Sequence, residues 1–382
     1  MVRVQIPPEM LSWACERAGH DVEYFARRIP QLTSWIQQEK QPTLNQLEKL
    51  ARVTHTPFGY LFLPEPPDEP LPVPDYRTVS GASWHRPSPN LLETIYAMQR
   101  RQDWLRESLI EEGMQPLDFV ASAHLDDDPE SVGHEMRTAL GLGDGWAAEV
   151  RTWQSAVSTL HQLIEGLGVM AVINGVVGNN THRKLSVEEF RGFALADPYA
   201  PLIFVNGADA KSAQMFTLVH ELAHIWLGNG GLSGFKNMQP EGTDVEVWCN
   251  RAASEFLVPA KEFSKDWEQI KKEQKPFETM ARTFKVSPIV AARRALDLEY
   301  IELSTFLSFY EDYTAREYSP NNPSSGGNFY NTQNTRVGRL FATRVLRAAK
   351  EGRISFKEAC KLTGMRDGSL QRYVKFPDGG SP

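Results

Sequence analysis

The 382-residue sequence contains only three cysteines, and they lie far apart at Cys15, Cys249 and Cys360. An odd and widely spaced set predicts no disulfide framework, so the fold must depend on apolar cores. The sequence also lacks any run of 18 apolar residues, and residues 1–8 show neither the charged nor the apolar segment of a secretory signal. We therefore expect a cytoplasmic protein that does not enter a membrane.

The sequence has no strong excess of one charge. Its net charge is −7, with 23% charged and 41% hydrophobic residues, which is ordinary for a globular protein. The negative balance argues against non-specific binding of nucleic acid by the whole molecule. The length allows two or three domains, each able to bury its own core.

Proline marks the first domain boundary. Six prolines occur within residues 63–75, a density that predicts an extended linker. We place a helical domain at residues 1–63, the linker at 64–77, a larger domain at 78–318 and a basic helical domain at 329–376. The expected fold class is α+β and mostly helical.

One apolar stretch, residues 215–227, is interrupted by three polar side chains, His220, Glu221 and His224. Residues four apart lie on one face of a helix, so both histidines can face one metal ion, with Glu221 next to them. Histidine and glutamate are seldom buried unless they are paired or bound to a metal. The pattern therefore predicts two ligands of a catalytic metal, which needs a third ligand and an open position for water.

Glu246 is the preferred third ligand. It lies in a predicted helix with Asn250 four residues further on, where the amide could orient a ligand histidine. Asp244 and Glu255 lack such a neighbour and are less favoured, while Glu241 remains an alternative.

These motifs resemble a known family. The sequences from Phe216 to His224 and from Glu246 to Pro259 resemble the ImmA/IrrE zinc metallopeptidases, with Cys249 where that family usually has alanine. The resemblance implies a zincin-like, gluzincin-type domain with a small β-sheet and an HExxH helix. It also implies that His220, His224 and Glu246 bind Zn²⁺ and that Glu221 is the general base. Two histidines and a carboxylate can also hold manganese or iron, so the metal stays open.

The resemblance also implies a substrate class. Related proteins cleave specific transcriptional repressors in mobile elements and stress responses, so we expect a protein substrate of that kind. A rival interpretation is a regulator or antitoxin-like protein that binds DNA or a toxin partner and uses the zinc fold as a scaffold or sensor. The intact histidines and glutamates favour the enzyme.

Residues 7–63 show several short helical patterns, and we predict helices at Met10–Ala18, Val22–Ile29, Leu32–Gln38 and Leu44–Val53. The arrangement resembles the helix-turn-helix of lambda-repressor-like (XRE-type) domains. In the expected recognition helix, the side chains able to contact bases are Ser34, Gln37 and Gln38. Residues 1–70 carry seven basic and nine acidic side chains, so little charge is available to neutralise phosphates. DNA binding and a role as an interaction or structural domain therefore both remain open for this domain.

Three strands precede the metal helix in the predicted order, at Val169–Ile173, Phe190–Leu195 and Leu202–Asn206. They should form a small sheet whose edge could hold an extended peptide. Two helices around this sheet are expected to begin at the capping residues Ser131 and Thr152.

Basic residues are concentrated near the C-terminus. Residues 329–376 carry 11 Lys and Arg against three acidic residues. This domain could contact DNA or an acidic partner, but a solvated helix face is the simpler interpretation. We interpret Arg293 and Arg294, in a predicted helix-turn-helix at 277–298, in the same way.

Overall fold

The computed structural model describes residues 3–75, 86–233, 243–317 and 334–370. Its helices are α1 (Pro8–Arg17), α2 (Val22–Ala26), α3 (Leu32–Ile36), α4 (Leu44–Thr54), α5 (Pro89–Glu111), α6 (Pro129–Ala139), α7 (Trp146–Glu149), α8 (Trp153–Gly166), α9 (Lys211–Leu227), α10 (Asp244–Leu257), α11 (Ala260–Ile270), α12 (Pro276–Phe284), α13 (Pro288–Asp297), α14 (Leu303–Glu317), α15 (Arg339–Lys350) and α16 (Phe356–Thr363). Its strands are β1 (Met170–Asn174), β2 (Val176–Val177), β3 (Asn180–Lys184), β4 (Gly192–Leu195), β5 (Leu202–Asn206) and β6 (Gly231–Ser233). The predicted class, α+β and mostly helical, is confirmed.

The chain divides into two compact units. The first comprises Met1–Pro72 with Val79–Tyr96, and the second comprises Val73–Thr78 with Ala97–Pro382. None of the helices in the described ranges is long and apolar enough to cross a membrane.

The first unit packs four short helices and a 3-10 helix, Phe58–Phe62, around its own core. Asp21 caps the N-terminal end of helix α2, because its carboxylate accepts a hydrogen bond from the backbone N–H of Tyr24. The expected recognition helix is shorter than predicted, because it ends at Ile36 and Gln38 adopts a left-handed φ of +60°. The helix-turn-helix identity of this unit stays a prediction.

The second unit contains a four-stranded sheet in the order β1-β5-β4-β6. Strands β1 and β5 are parallel, whereas β4 is antiparallel to both β5 and β6. The three predicted strands are present, and β6 was not foreseen. Beyond β6, the Leu232 N–H donates a 2.8 Å hydrogen bond to the Pro74 carbonyl, so the end of the linker lies along this edge of the sheet.

The core of the second unit lies between the sheet and the helices. Helix α9 packs against α8, β4, β5 and α10, and α10 packs against α6. Thr152 caps α8 as predicted, through a bond from the Ser155 N–H. The predicted cap Ser131 is wrong. Asp128 caps α6 instead, because its carboxylate accepts the Ser131 N–H, and Pro129 occupies the first helical position.

Helices α12 and α13 form the predicted helix pair near residue 286. Arg293 is partly exposed and pairs with Asp297. The expectation of a solvated face is wrong for Arg294, which is buried, pairs with Glu255 and donates a 2.9 Å hydrogen bond to the Val258 carbonyl.

Helices α15 and α16 pack together and contact the C-terminal part of α5. The buried Arg101 guanidinium donates to the carbonyls of Leu362, Thr363 and Arg336. Arg344 lies 2.6 Å from the Glu112 carboxylate. Part of the basic domain is therefore an ion-paired contact surface rather than a solvated face.

Candidate metal centre

Helix α9 carries most of the candidate site, and every residue from Gln214 to Leu227 is buried. Apolar side chains surround the helix, as is typical of one enclosed within a core. The helix ends at Gly228, whose φ of +68° lies in the left-handed region. A Cβ at Gly228 would lie 2.5 Å from the Cβ of Ala121. Close packing therefore fixes the end of the helix and requires glycine there.

The structure brings the three predicted ligand side chains together. The Nε2 atoms of His220 and His224 lie 3.0 Å apart. Helix α10 places Glu246 Oε1 3.1 Å from His224 Nε2 and Oε2 3.3 Å from His220 Nε2. Thr243 starts α10 by accepting the Glu246 N–H, which sets the position of that side chain at the first turn. Two successive helices thus form one cluster.

The spacing of this cluster fits a divalent ion. Ligands about 2.0–2.1 Å from a tetrahedral Zn²⁺ lie about 3.3 Å from one another. The ligand atoms of His220, His224 and Glu246 all lie within 4.8 Å of one another. Their closest separations are near the tetrahedral value, so the geometry suits a metal with three protein ligands. The roles of the individual residues as ligands stay a prediction.

The ionisation of the cluster also suits a cation. Burial lowers the pKa of His220 and therefore favours the neutral imidazole. Burial alone raises the pKa of Glu246, but its electrostatic and hydrogen-bond interactions with His220 and His224 outweigh this effect and lower the pKa to about 2. Neutral imidazole and ionised carboxylate are the forms that bind metals.

Glu221 lies beside the cluster in a different environment. It is fully buried, and within the described part of the chain neither carboxylate oxygen has a hydrogen-bond partner. Burial raises the pKa of Glu221 well above its usual value, the negative charge of Glu246 raises it further, and the nearby Ser233 hydroxyl lowers it. Burying such a group is costly, so the arrangement is typical of a carboxyl that exchanges protons with a ligand or water.

The structure also distinguishes Glu246 from the other candidates for the third metal ligand. Asp244 is exposed at its first turn, and Glu255 is engaged by Arg294 and the Ala260 N–H. Glu241 lies outside the described residues. The Asn250 side chain lies close enough to His220 to raise the pKa of that histidine, against the larger lowering by burial. Asn250 therefore lies beside one of the candidate ligand rings, and its orienting role stays a prediction.

The candidate DNA contacts belong to the first unit. Ser34 is half-buried within α3, whereas Gln37 and Gln38 are exposed and follow the helix. Only Ser34 therefore lies on the helix expected to enter a groove. Their role in DNA binding stays a prediction.

Two residues near Glu221 were not found from the sequence. Ser233 lies on β6, and Gly192 pairs with it across the sheet. Ser233 follows α9 closely in sequence, but Gly192 does not, and the strand order brings both residues to the site. The available signal for Gly192 is a glycine within a predicted strand, which often marks a close approach by another group.

Comparison with known protein families gives two matches. Residues 178–296 match the IrrE N-terminal-like domain of the peptidase M78 family. Residues 337–376 match a domain of unknown function, DUF8813. No curated protein matches the sequence. The first match contains the whole His220, His224 and Glu246 cluster, and it supports a peptidase domain of the ImmA/IrrE metallopeptidase type in this chain.

Proposed function

We propose that this protein is a zinc-dependent endopeptidase that cleaves a specific protein, with a transcriptional repressor as the substrate class. The observation that carries the proposal is the buried cluster of His220, His224 and Glu246 with the unpartnered Glu221 carboxyl beside it. The match to the IrrE-like peptidase domain over the same residues supports it. The repressor substrate rests on the family resemblance.

In this proposal the chain supplies a metal cradle and a base. His220, His224 and Glu246 hold Zn²⁺, and Asn250 keeps the His220 ring in position. When bound, the ion supplies Lewis acidity that polarises the scissile carbonyl and acidifies water. Glu221 takes a proton from the attacking water and delivers it to the leaving amine. Its burial excludes bulk water from this proton transfer.

The peptide is proposed to bind along the β6 edge. Ser233 on β6 lies next to Glu221, so this edge runs past the proposed base. An extended chain can be held there by main-chain hydrogen bonds that tolerate many sequences. The Leu232 N–H is already used by the Pro74 carbonyl, so a peptide must replace this contact or bind beyond it.

The test is capture of the substrate by Glu221→Gln protein purified from the native host, followed by cleavage with wild-type protein. The variant should keep its metal and lose at least about 100-fold in turnover, because it has no base. Exposed Glu188 provides the matched control, Glu188→Gln, which should cut normally. Full turnover by Glu221→Gln would exclude the proposed base.

The rival function is a DNA- or toxin-binding regulator that uses the zinc fold as a scaffold. It predicts a partner that is captured equally by wild-type and Glu221→Gln protein and is never cut. Binding of operator DNA or a toxin without cleavage of any captured protein would select this alternative.

A further inference from the structure

A cavity of about 660 Å³ lies in the second unit, apart from the metal cluster. Helix α8 forms one wall, and residues 334–339 before and at the start of α15 form another. The floor is made by the ends of β1 and β5, at Gly175 and Gly207, and by Lys211 at the start of α9. None of the three candidate metal ligands lines it.

Basic side chains dominate the charge of this cavity. Lys211, Arg336 and Arg339 line it, whereas Glu165 is the one carboxylate among its lining residues. The Lys211 ammonium donates to the neutral amide of Gln214 at 2.9 Å. Over the ranges that the structure describes, neither Lys211 nor Arg336 forms an ion pair with a carboxylate. The positive charges of Lys211 and Arg336 are therefore not compensated by a carboxylate within the described ranges.

Glu165 is already engaged by the backbone. Its Oε1 accepts a 3.1 Å hydrogen bond from the Leu340 N–H, so it caps the N-terminal end of α15. His161 lies beside it, with Nδ1 3.7 Å from Glu165 Oε2. Burial lowers the pKa of His161 to about 4, so the ring is neutral near pH 7. Neither group neutralises Lys211 or Arg336.

The two cations are also partly desolvated. Burial lowers the pKa of Lys211 and the pKa of Arg336, which means that the surroundings disfavour their charged forms. A buried cation is stabilised when an anion with good hydrogen-bond geometry approaches it. The cavity therefore has an electrostatic preference for an anion.

We propose that this cavity binds a small phosphorylated ligand of nucleotide size, with its phosphates held by Lys211, Arg336 and Arg339. Its volume lies within the range of about 300–1,000 Å³ typical of small-molecule sites. Gln154 and Ser158 on α8 supply polar groups for the rest of the ligand. No Phe, Tyr or Trp side chain is among the lining residues, so recognition depends on hydrogen bonds and charge rather than on stacking against a large ring.

The proposal favours a free ligand over a nucleic acid strand. The three cations converge on one cavity instead of following an open stripe, which is the arrangement that a polymer backbone needs. The residues that line this cavity are not those proposed to cleave the peptide. Its ligand would nevertheless contact Lys211, the first residue of the helix that carries His220.

Calorimetric titration of the full-length protein tests the proposal, with ATP, AMP and inorganic pyrophosphate as probes at constant ionic strength. Lys211→Gln and Arg336→Gln should each weaken binding of the best probe by about tenfold or more, since each removes a charge-assisted contact. Exposed Lys357 and Arg366 provide the matched controls, Lys357→Gln and Arg366→Gln, which should bind as wild type does.

Two further variants distinguish this cavity from the metal centre as the place where the probe binds. Ser158→Tyr fills the cavity without removing a cation and should abolish binding. Glu246→Gln should leave the affinity for the probe unchanged, because Glu246 does not line the cavity. If the probe were instead bound by a metal ion at the metal centre, this variant would lose the binding. Circular dichroism of each variant without ligand checks that it is folded.

The proposal is overturned if no probe binds, or if Lys211→Gln and Arg336→Gln bind as well as their controls. Binding that is lost in Glu246→Gln and kept in Ser158→Tyr would place the ligand on the metal centre. Binding of a single-stranded DNA 12-mer but of no free nucleotide would assign these cations to nucleic acid instead.

Discussion

Gly192 lies against the carboxyl of Glu221, so close that a Cβ on residue 192 would be 2.7 Å from Glu221 Oε1. The same atom would lie 2.6 Å from Thr217 Cγ2 and 2.9 Å from the Phe204 carbonyl oxygen. The carbonyl belongs to the neighbouring strand and cannot swing away. The sheet therefore sets the position of the proposed base through a glycine.

Gly192→Ala should displace Glu221 and overpack the sheet. We expect a loss of about 1–3 kcal/mol in the free energy of unfolding and a drop in turnover of at least about tenfold, with metal content unchanged. Urea denaturation, metal analysis and a cleavage assay measure these effects. Gly143→Ala is the control, because a Cβ there meets no atom within 4 Å. Equal stability and activity of the two variants would show that this contact does not position Glu221.

Glu246→Gln should lose bound metal, since the amide cannot supply the anionic oxygen of the cluster. Asp244→Asn removes a charge from the same helix at an exposed position and should retain the metal. Mass spectrometry of the metal content of both purified proteins decides the matter. Loss of metal from Asp244→Asn alone would reassign the third ligand.

Asn250→Ala should weaken metal binding by about 10- to 100-fold without abolishing it, because it removes the side chain beside His220 that we propose orients the ring. Competition with a chelator of known affinity measures the change. Asn250→Asp should restore much of the affinity, since a carboxylate also accepts the imidazole N–H. Wild-type affinity in Asn250→Ala would contradict the orienting role.

Glu165 should make stability depend on pH. Burial raises the pKa of Glu165 from 4.5 to about 7, against the opposing effect of backbone N–H groups at Leu340 and Arg339. A raised pKa favours the protonated folded state, so the contribution is full below about pH 4.5 and is lost as the pH rises to about 7.

Glu165→Gln does not titrate, so wild-type stability relative to this variant should fall by up to about 3 kcal/mol over that interval and stay constant above it. His161 is present in both proteins and its own titration largely cancels in the comparison. Urea denaturation at several pH values measures the difference. A constant difference from pH 4.5 to 7 would contradict the prediction.

Arg294→Met should destabilise the second unit by about 3–5 kcal/mol, because it leaves the buried Glu255 carboxylate without its cation. The neighbouring Arg293→Met breaks the partly exposed pair with Asp297 and should cost less than about 1 kcal/mol. Denaturant unfolding of both variants measures the contrast. Similar losses would mean that the buried pair contributes no more than the exposed one.

The helical period explains why part of the site could be predicted. His220 and His224 are one helical turn apart, so any helix over these residues presents both rings on one face. The same reasoning places Asn250 near the position of Glu246 on α10. These relations depend on the local backbone alone, and the strands before α9 follow similarly from short apolar segments.

Predictions from the local sequence pattern were wrong where two neighbouring residues have similar chemistry. Ser131 and Asp128 are both suitable helix caps, and the choice depended on Pro129 at the first helical position. Adjacent Arg293 and Arg294 have the same chemistry, yet one is partly exposed and the other is buried against Glu255. Residues next to each other on a helix face different directions, and only the packing partner decides which side is buried.

The amino-acid sequence by itself determined the spacing of His220, Glu221 and His224, because that spacing is a property of one helix. Only the tertiary structure brings Glu246 to the two histidines and places Gly192 against Glu221. It also brings Arg336 into the cavity that Lys211 lines. These contacts join segments far apart in the chain, and their geometry depends on strand order and helix packing. No local period encodes that order.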